Sequence, residues 1–246
     1  MRVGGELVAG GAFYKRNVSL REAARQMAST PLKTQPGEAF RYGNAGIDAV
    51  AAALEVATGM PYEKWLFAKI TDPLGMKDTT FTPSGKQLPR LVKAYTSNDK
   101  PLRPAADRCA QQLVFPWKKK VYPCAAAGLF STPQDMIRFS QMLAHHGEWM
   151  GRQIISRKTF DEIFSVKQTP SGVAQPYCVG SWLYDDWFGH EGAMRTDQRA
   201  NLKTGHSRVF FIQTENKAGS AFFALKKDWN AACDAVQGTP PFNPGN

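Results

Sequence analysis

Residues 40–59 read FRYGNAGIDAVAAALEVATG, and this stretch decides how the chain is organised. Ile47, Val50, Ala51, Leu54 and Ala57 recur at i, i+3, i+4, i+7 and i+10, the spacing of one face of a helix. Gly59 stands where a C-cap belongs. Pro36-Gly37 marks a turn ahead of it, so Tyr42 and Asn44 fall just before the helical pattern. Two readings follow. Tyr42-x-Asn44 is a packed aromatic followed by an Asn cap, or it is a pair of groups held at a helix entrance for chemistry.

Outward from this helix the pattern stays helical on both sides. SLREAARQMAS opens with Ser19 and Glu22 in capping-box spacing and puts Leu20, Ala23, Ala24 and Met27 on one face. Pro61 starts a helix that turns Tyr62, Trp65, Leu66 and Ile70 inward and stops at Asp72-Pro73. Residues 82–127, rich in Pro and Lys, predict long irregular excursions. Thr132 as N-cap, Pro133 at the first helical position, Asp135 in the first turn and Gly147 after the last turn delimit the next helix. A short helix follows Ser156 through Phe160 and Ile163.

From Tyr177 the texture changes. YCVGSWLYDDWFGHEG and SRVFFIQTE are dense in β-branched and aromatic residues between turn-like pieces, as antiparallel strands are. Phe222, Leu225, Trp229, Ala232 and Val236 space a closing helix that lies on that sheet. Helices, then strands, then a helix argue for an α+β fold with an antiparallel sheet. We expect a single domain over 1–246, with a mainly helical and loop part at 19–176 and strands plus closing helix at 177–237.

Composition excludes several function classes. With 43% hydrophobic and 21% charged residues among 246, the chain is an ordinary globular one. No apolar run approaches the roughly 18 residues that span a bilayer, and the N-terminus lacks the continuous apolar stretch of a leader. The net charge of +10 favours acidic surfaces in general. Its densest cluster, Lys118 to Lys120, reads as a solvated loop, and no nucleic-acid partner is expected. Cys109, Cys124, Cys178 and Cys233 lack metal-ligand spacing, so we expect no metal and no cofactor. A Cys109–Cys124 disulfide and four reduced thiols both fit.

Three islands of the sequence resemble the class C β-lactamase-related serine hydrolases, which include penicillin-binding proteins, DD-peptidases and esterases. The first is PGEAFRYGNAGIDAVAAALEVATGMPYEKWLFAKITDPLGMKDTTF at 36–81, with Tyr-x-Asn and Pro-Leu-Gly-Met. The second is AAAGLFSTPQDMIRFSQML with GEWMGRQIIS, and the third is FGHEGAM. The resemblance implies a β-lactamase/transpeptidase-like α+β fold and acyl transfer on an ester, amide or β-lactam by a serine. The partner it implies is a small-molecule or peptidoglycan-like acyl substrate. Tyr42 would shuttle the proton and Asn44 would position the acyl side. His190 and Gly192 would sit on the sheet edge, and the Ala193 N–H would serve as an oxyanion-hole donor.

That chemistry needs Ser and Lys one helical turn apart, ahead of Tyr42, because a hydroxyl is a poor nucleophile until a base takes its proton. Neither Ser19 nor Ser29 has a lysine at i+3. Ser97 and Lys100 obey the spacing but follow Tyr42, in a turn-forming stretch. Lys203-Thr204-Gly205 spells the family's third motif in its lactamase form, yet reads as a turn between strands because HEG already occupies the motif's place. We therefore expect a chain incomplete at its N-terminus and inactive as it stands, with an unpaired sheet edge and an uncovered apolar helix face. The alternatives are a non-catalytic ligand-binding relative and a basic polyanion binder. His145 and His146 are expected to meet the carbonyl end of their helix, and Glu191 and Arg195 put charge near the pocket mouth.

Overall fold

Local capping chemistry sets the first elements. The computed structural model describes residues 18–32, 34–40, 42–95, 122–165, 176–214 and 220–236, with side chains of the last stretch from residue 223. Helix α1 is Leu20–Ala28, where the Ser19 hydroxyl accepts from the Glu22 N–H at 3.1 Å. Helix α2 is Asn44–Thr58, closed by Gly59 in the left-handed region at φ 66°. Helix α3, Tyr62–Leu66, runs on as a π-helical turn over Phe67–Thr71. Helix α4 is Pro133–Ala144, capped by Thr132, whose hydroxyl accepts from the Asp135 N–H at 3.2 Å. A two-stranded hairpin, β1 (Glu148–Trp149) and β2 (Arg152–Gln153), leads to α5, Arg157–Phe164.

The sheet is antiparallel, in the order β3-β4-β5-β6. Its strands are Trp182–Tyr184, Trp187–Glu191, Thr196–Asn201 and Ser207–Phe211. Helix α6, Ser220–Ala235, closes the described chain. Lys203 to Gly205 lie in the turn between β5 and β6, as expected. β6 is an outer strand with no further strand beside it among the described residues.

Two cores hold these elements. The larger joins α4 and α5 to one face of the sheet through Leu74, Met142, Leu143, Phe160, Phe164, Phe188 and Ala200. The smaller joins α1 to α2 and to the segment at 122–124 through Leu20, Ala23, Met27, Ala51, Ala52, Tyr122 and Cys124. Asp135 ties the base of α4 to the 78–79 turn. It accepts from the Asp78 N–H at 2.8 Å and the Thr79 hydroxyl at 2.9 Å, and pairs with Arg138 at 2.8 Å.

Two predicted faces are corrected. In α2 the buried residues are Asp48, Ala51 and Ala52, while Val50 is 69% exposed and Val56 66%. The helix meets α1 through small residues that let the two backbones approach, so its larger apolar side chains point away. In α6 Leu225 and Val236 are exposed, Trp229 stacks on Phe210 of β6 at 5.9 Å, and the less exposed line is Lys226, Asn230 and Cys233. The sheet face beneath carries Glu191, Asp197, Arg199 and Arg208, so a polar line of the helix docks there. Cys124, Cys178 and Cys233 form no disulfide, and Cys109 lies outside the described residues, as do Ser97 and Lys100.

The α4 cap supplies a modest test. Thr132→Ala removes the side-chain acceptor of the Asp135 N–H and is expected to lower stability by about 1 kcal/mol in urea unfolding. A change below about 0.3 kcal/mol would show that Asp135 alone holds that end of the helix.

Candidate active site

Tyr42 lies one residue before the N-cap of α2, and its ring leaves the helix toward the sheet. The cap itself is Gly43, with no side-chain hydrogen bond, and Asn44 is the exposed first residue of the helix. Asn44 therefore does not cap α2, and the first of the two sequence readings fails on that point. Across 148 positions of sequence, the Tyr42 hydroxyl meets His190 Nε2 at 3.2 Å, with ring centroids 5.7 Å apart. His190 projects from β4 on the face that also carries Phe188 into the larger core.

The direction of this hydrogen bond follows from the other ring nitrogen. His190 Nδ1 lies 2.6 Å from the Glu191 backbone oxygen, which can only accept, so Nδ1 carries the proton. In the neutral ring Nε2 is then an acceptor, and the Tyr42 hydroxyl donates to it. Burial against Tyr177 and His190 pushes the phenol above its ordinary value. More than half of the Tyr42 side chain nonetheless faces solvent, so a ligand can reach it. The phenol is thus held in its protonated, donating form.

Tyr42 and His190 line one open cavity of about 810 Å³. Asn44 shares it, as do Gly192 and Ala193 at the β4–β5 turn and residues 125–131 on the opposite wall. The turn is tied by the Gly192 N–H to Thr196 O at 2.7 Å and the Arg195 N–H to Gly192 O at 3.0 Å. A β-carbon at Gly192 would press on the Thr196 hydroxyl, so a larger residue here would require Thr196 to rotate. All five site residues picked out in the sequence thus meet in one place.

The charge expected at the pocket mouth is largely engaged. The Glu191 carboxylate binds Lys226 of α6. Burial works to raise its pKa, but Lys226, Arg199 and Arg195 outweigh that and hold it below the ordinary value. Asp197 pairs with Arg199 at 2.9 Å and Lys226 at 3.2 Å, and Arg195 lies over the Phe223 ring. His145 Nδ1 meets the Gln141 carbonyl at 2.8 Å, as expected of a C-terminal histidine, whereas His146 packs its ring on Phe160.

One residue of the site's support escaped sequence reasoning. Asp48, fully buried one turn beyond Asn44, accepts from the Ala126 N–H at 3.2 Å, the Tyr122 hydroxyl at 3.4 Å and the Cys124 thiol at 3.5 Å. It fastens the wall at 125–128 to the helix that starts beside Tyr42. Its one visible signal was an acid set inside an otherwise apolar helix.

Comparison with known proteins gives the family and the fold. The Beta-lactamase family model matches residues 3–232. The chain belongs to the Beta-lactamase family. It is 36% identical over 117 residues to the D-alanyl-D-alanine-carboxypeptidase/endopeptidase AmpH of Escherichia coli K12, covering 48% of this chain and 26% of that protein. It is 32% identical over 135 residues to esterase EstB of Burkholderia gladioli, covering 50% of this chain and 34% of that one. The chain thus matches about a quarter to a third of the length of these curated relatives. Among solved structures, the simvastatin synthase LovD of Aspergillus terreus superposes with a TM-score of 0.68 at 17% identity, over 92% of this chain and 67% of LovD. EstCE1, a hydrolase with promiscuous acyltransferase activity, gives 0.66 at 19%, over 89% and 62%. The fold is therefore the mixed α+β fold of the β-lactamases and transpeptidases.

Proposed function

We propose that this site serves acyl transfer on an ester, amide or β-lactam, with Tyr42 as the proton relay and Asn44 positioning the acyl side. The observation that carries the reading is the 3.2 Å contact of Tyr42 with His190 inside one accessible cavity. A phenol held in its neutral form accepts a proton only by passing its own on. As an attacking hydroxyl gives its proton to Tyr42 Oη, the Tyr42 proton moves to His190 Nε2, and the resulting imidazolium keeps its Nδ1–H on the Glu191 carbonyl. The Gly192 N–H is already committed to Thr196, so the oxyanion donor of the turn is the Ala193 N–H.

Within these 246 residues the only Ser-x-x-Lys is Ser97 to Lys100, downstream of Tyr42. The chain is therefore expected to bind an acyl ligand without consuming it. Adding N-phenylacetylglycine methyl ester should shift the His190 ring signals in NMR spectra. Intact mass after treatment with a fluorophosphonate or with benzylpenicillin should show no adduct. A stoichiometric adduct would overturn the inactivity and make Ser97 the first suspect. An unmoved His190 signal at millimolar ligand would overturn the site.

A further inference from the structure

Consecutive residues of β4 serve opposite faces of the sheet. Phe188 and His190 point to the core and the cavity, and Glu191 points to the face that α6 covers. One peptide group joins the two faces. The carbonyl that meets His190 Nδ1 at 2.6 Å belongs to Glu191, the residue whose carboxylate α6 holds. Glu191 stands opposite Asp197 of β5 in the last pair of their register, before the turn at 192–195. Two carboxylates directly opposite one another on adjacent strands repel and work to part them. Lys226 of α6 bridges this pair. Its ammonium binds the Glu191 carboxylate and lies 3.2 Å from Asp197 Oδ2. The Lys226 side chain is 17% exposed and that of Asp197 7%, so salt and water screen this bridge only weakly.

Arg199 also serves both acids, at 2.9 Å to Asp197 and 3.6 Å to Glu191, but it is a residue of β5 itself. Arg195 adds a longer-range attraction to Glu191 while its guanidinium lies over the Phe223 ring. Lys226 is the cation in direct contact with both carboxylates that comes from another element. Helix α6 keeps other anchors on the sheet, the Arg208–Asp234 pair at 3.4 Å and the Trp229–Phe210 stack at 5.9 Å. Loss of Lys226 therefore acts on this end of the strands without freeing the helix. Beyond the bridge, the Gly192 N–H closes the turn on Thr196 O, and the turn carries the Ala193 N–H. What keeps Glu191 beside Asp197 also sets where His190 finds its carbonyl. Resting on the proton-relay reading above, we infer that Lys226 is a positioning residue of the site: by neutralising the Glu191–Asp197 pair from the far face of the sheet, it keeps the Glu191 carbonyl on His190 Nδ1 and so leaves Nε2 to accept from Tyr42.

The nitrogen-15 shifts of the His190 ring test this on the intact chain, because they tell the Nδ1–H form from the Nε2–H form and from the imidazolium. The wild type is expected in the Nδ1–H form. Lys226→Met should lower the share of that form about fivefold and weaken N-phenylacetylglycine methyl ester by about the same factor. Lys226→Gln, which drops the charge but keeps a hydrogen-bonding end, should do likewise and serves if the methionine variant fails to fold, as urea midpoints will tell. Lys226→Arg returns the charge and should stay within about twofold of wild type in both readings. Adding Glu191→Gln to Lys226→Met removes the excess negative charge and should recover the Nδ1–H form, which restored helix packing could not explain. An Nδ1–H form undiminished in Lys226→Met and Lys226→Gln overturns the inference. So does recovery in Lys226→Arg without recovery in the double variant, since the effect would then not be one of charge. A wild-type His190 that carries its proton on Nε2, or that no concentration of the ester shifts, overturns the proton-relay reading instead.

Discussion

Gly189→Ala is expected to be the most damaging single-methyl change at this site. Gly189 sits in β4 opposite Arg199 of β5 and Trp182 of β3, directly before His190. A β-carbon there would stand 1.9 Å from the Gln198 carbonyl oxygen and 2.8 Å from Arg199 Cδ. The first of these is backbone, so no rotamer change relieves it. β4 and β5 would have to separate locally, which costs about 3 kcal/mol or more when overpacking cannot be absorbed. The same separation would carry His190 away from Tyr42 and disturb the Asp197–Arg199 pair. Urea unfolding should show the loss of stability, and any folded fraction should lose the Tyr42–His190 contact. The internal control is Gly46→Ala in α2, where a β-carbon meets nothing within 4 Å. That change is expected to stabilise, by up to about 1 kcal/mol, because alanine is the better helix former. Similar effects for the two variants would show that the strand pair gives way more easily than its register implies.

The helices were legible because caps and period leave a local record. Ser19, Thr132-Pro133, Ser156, Gly59 and Gly147 mark ends that stand within a residue or two of where they were expected. Which side of a helix is buried is set by its neighbour: the expected face of α1, Leu20, Ala23 and Met27, is the buried one, but in α2 and α6 the reading failed in part. In α2 only Ala51 of the expected line is buried, joined by Ala52 and Asp48, because α1 demanded close approach. In α6 only Trp229 of the expected line reaches the sheet, stacking on Phe210, and Lys226, Asn230 and Cys233 face it because charged residues cover that sheet face. β5 carries no strand signal of its own beyond the turn that follows it. Its sequence, TDQRAN, is polar, yet Asp197, Gln198 and Asn201 are buried; Asp197 pairs with Arg199 and with Lys226 of α6, and Asn201 accepts from the Lys203 and Thr204 N–H groups of the adjoining turn. The site residues were legible for a different reason. Tyr42, Asn44 and the His190 turn carry a recognisable order along the chain, whereas Glu191, Asp197 and Lys226 gain meaning only from their proximity in space.

Asp48 is where stability and the shape of the site are coupled, and its substitution is expected to have the second large effect. Asp48→Ala removes the buried carboxylate that accepts from the Ala126 N–H, the Tyr122 hydroxyl and the Cys124 thiol. The Ala126 N–H loses its acceptor and a void opens at a fully buried position, so a loss of about 3 kcal/mol is expected. The wall at 125–128 should loosen, since Gly128 already lies so close to Cys124 that a β-carbon would meet its carbonyl at 2.8 Å. Asp48→Asn keeps the shape and isolates the charge. Burial raises the Asp48 carboxyl above 3.8, and the bonds from Ala126, Cys124 and Tyr122 only partly oppose it. The folded chain therefore holds this proton more tightly than the unfolded chain does. That contribution to stability is complete below the unfolded value and is lost as pH rises through the folded one. Groups shared by the two proteins cancel, so the stability of Asp48→Asn relative to wild type should climb as pH rises from about 4 and level off once the native carboxyl is ionised. The same charge helps hold the Tyr62 phenol at about 12, after burial itself, so Asp48→Asn should also bring the Tyr62 titration down. A stability difference flat from pH 4 to 8, with Tyr62 unmoved, would mean that the carboxylate is well solvated and that the wall of the cavity is held by something other than Asp48.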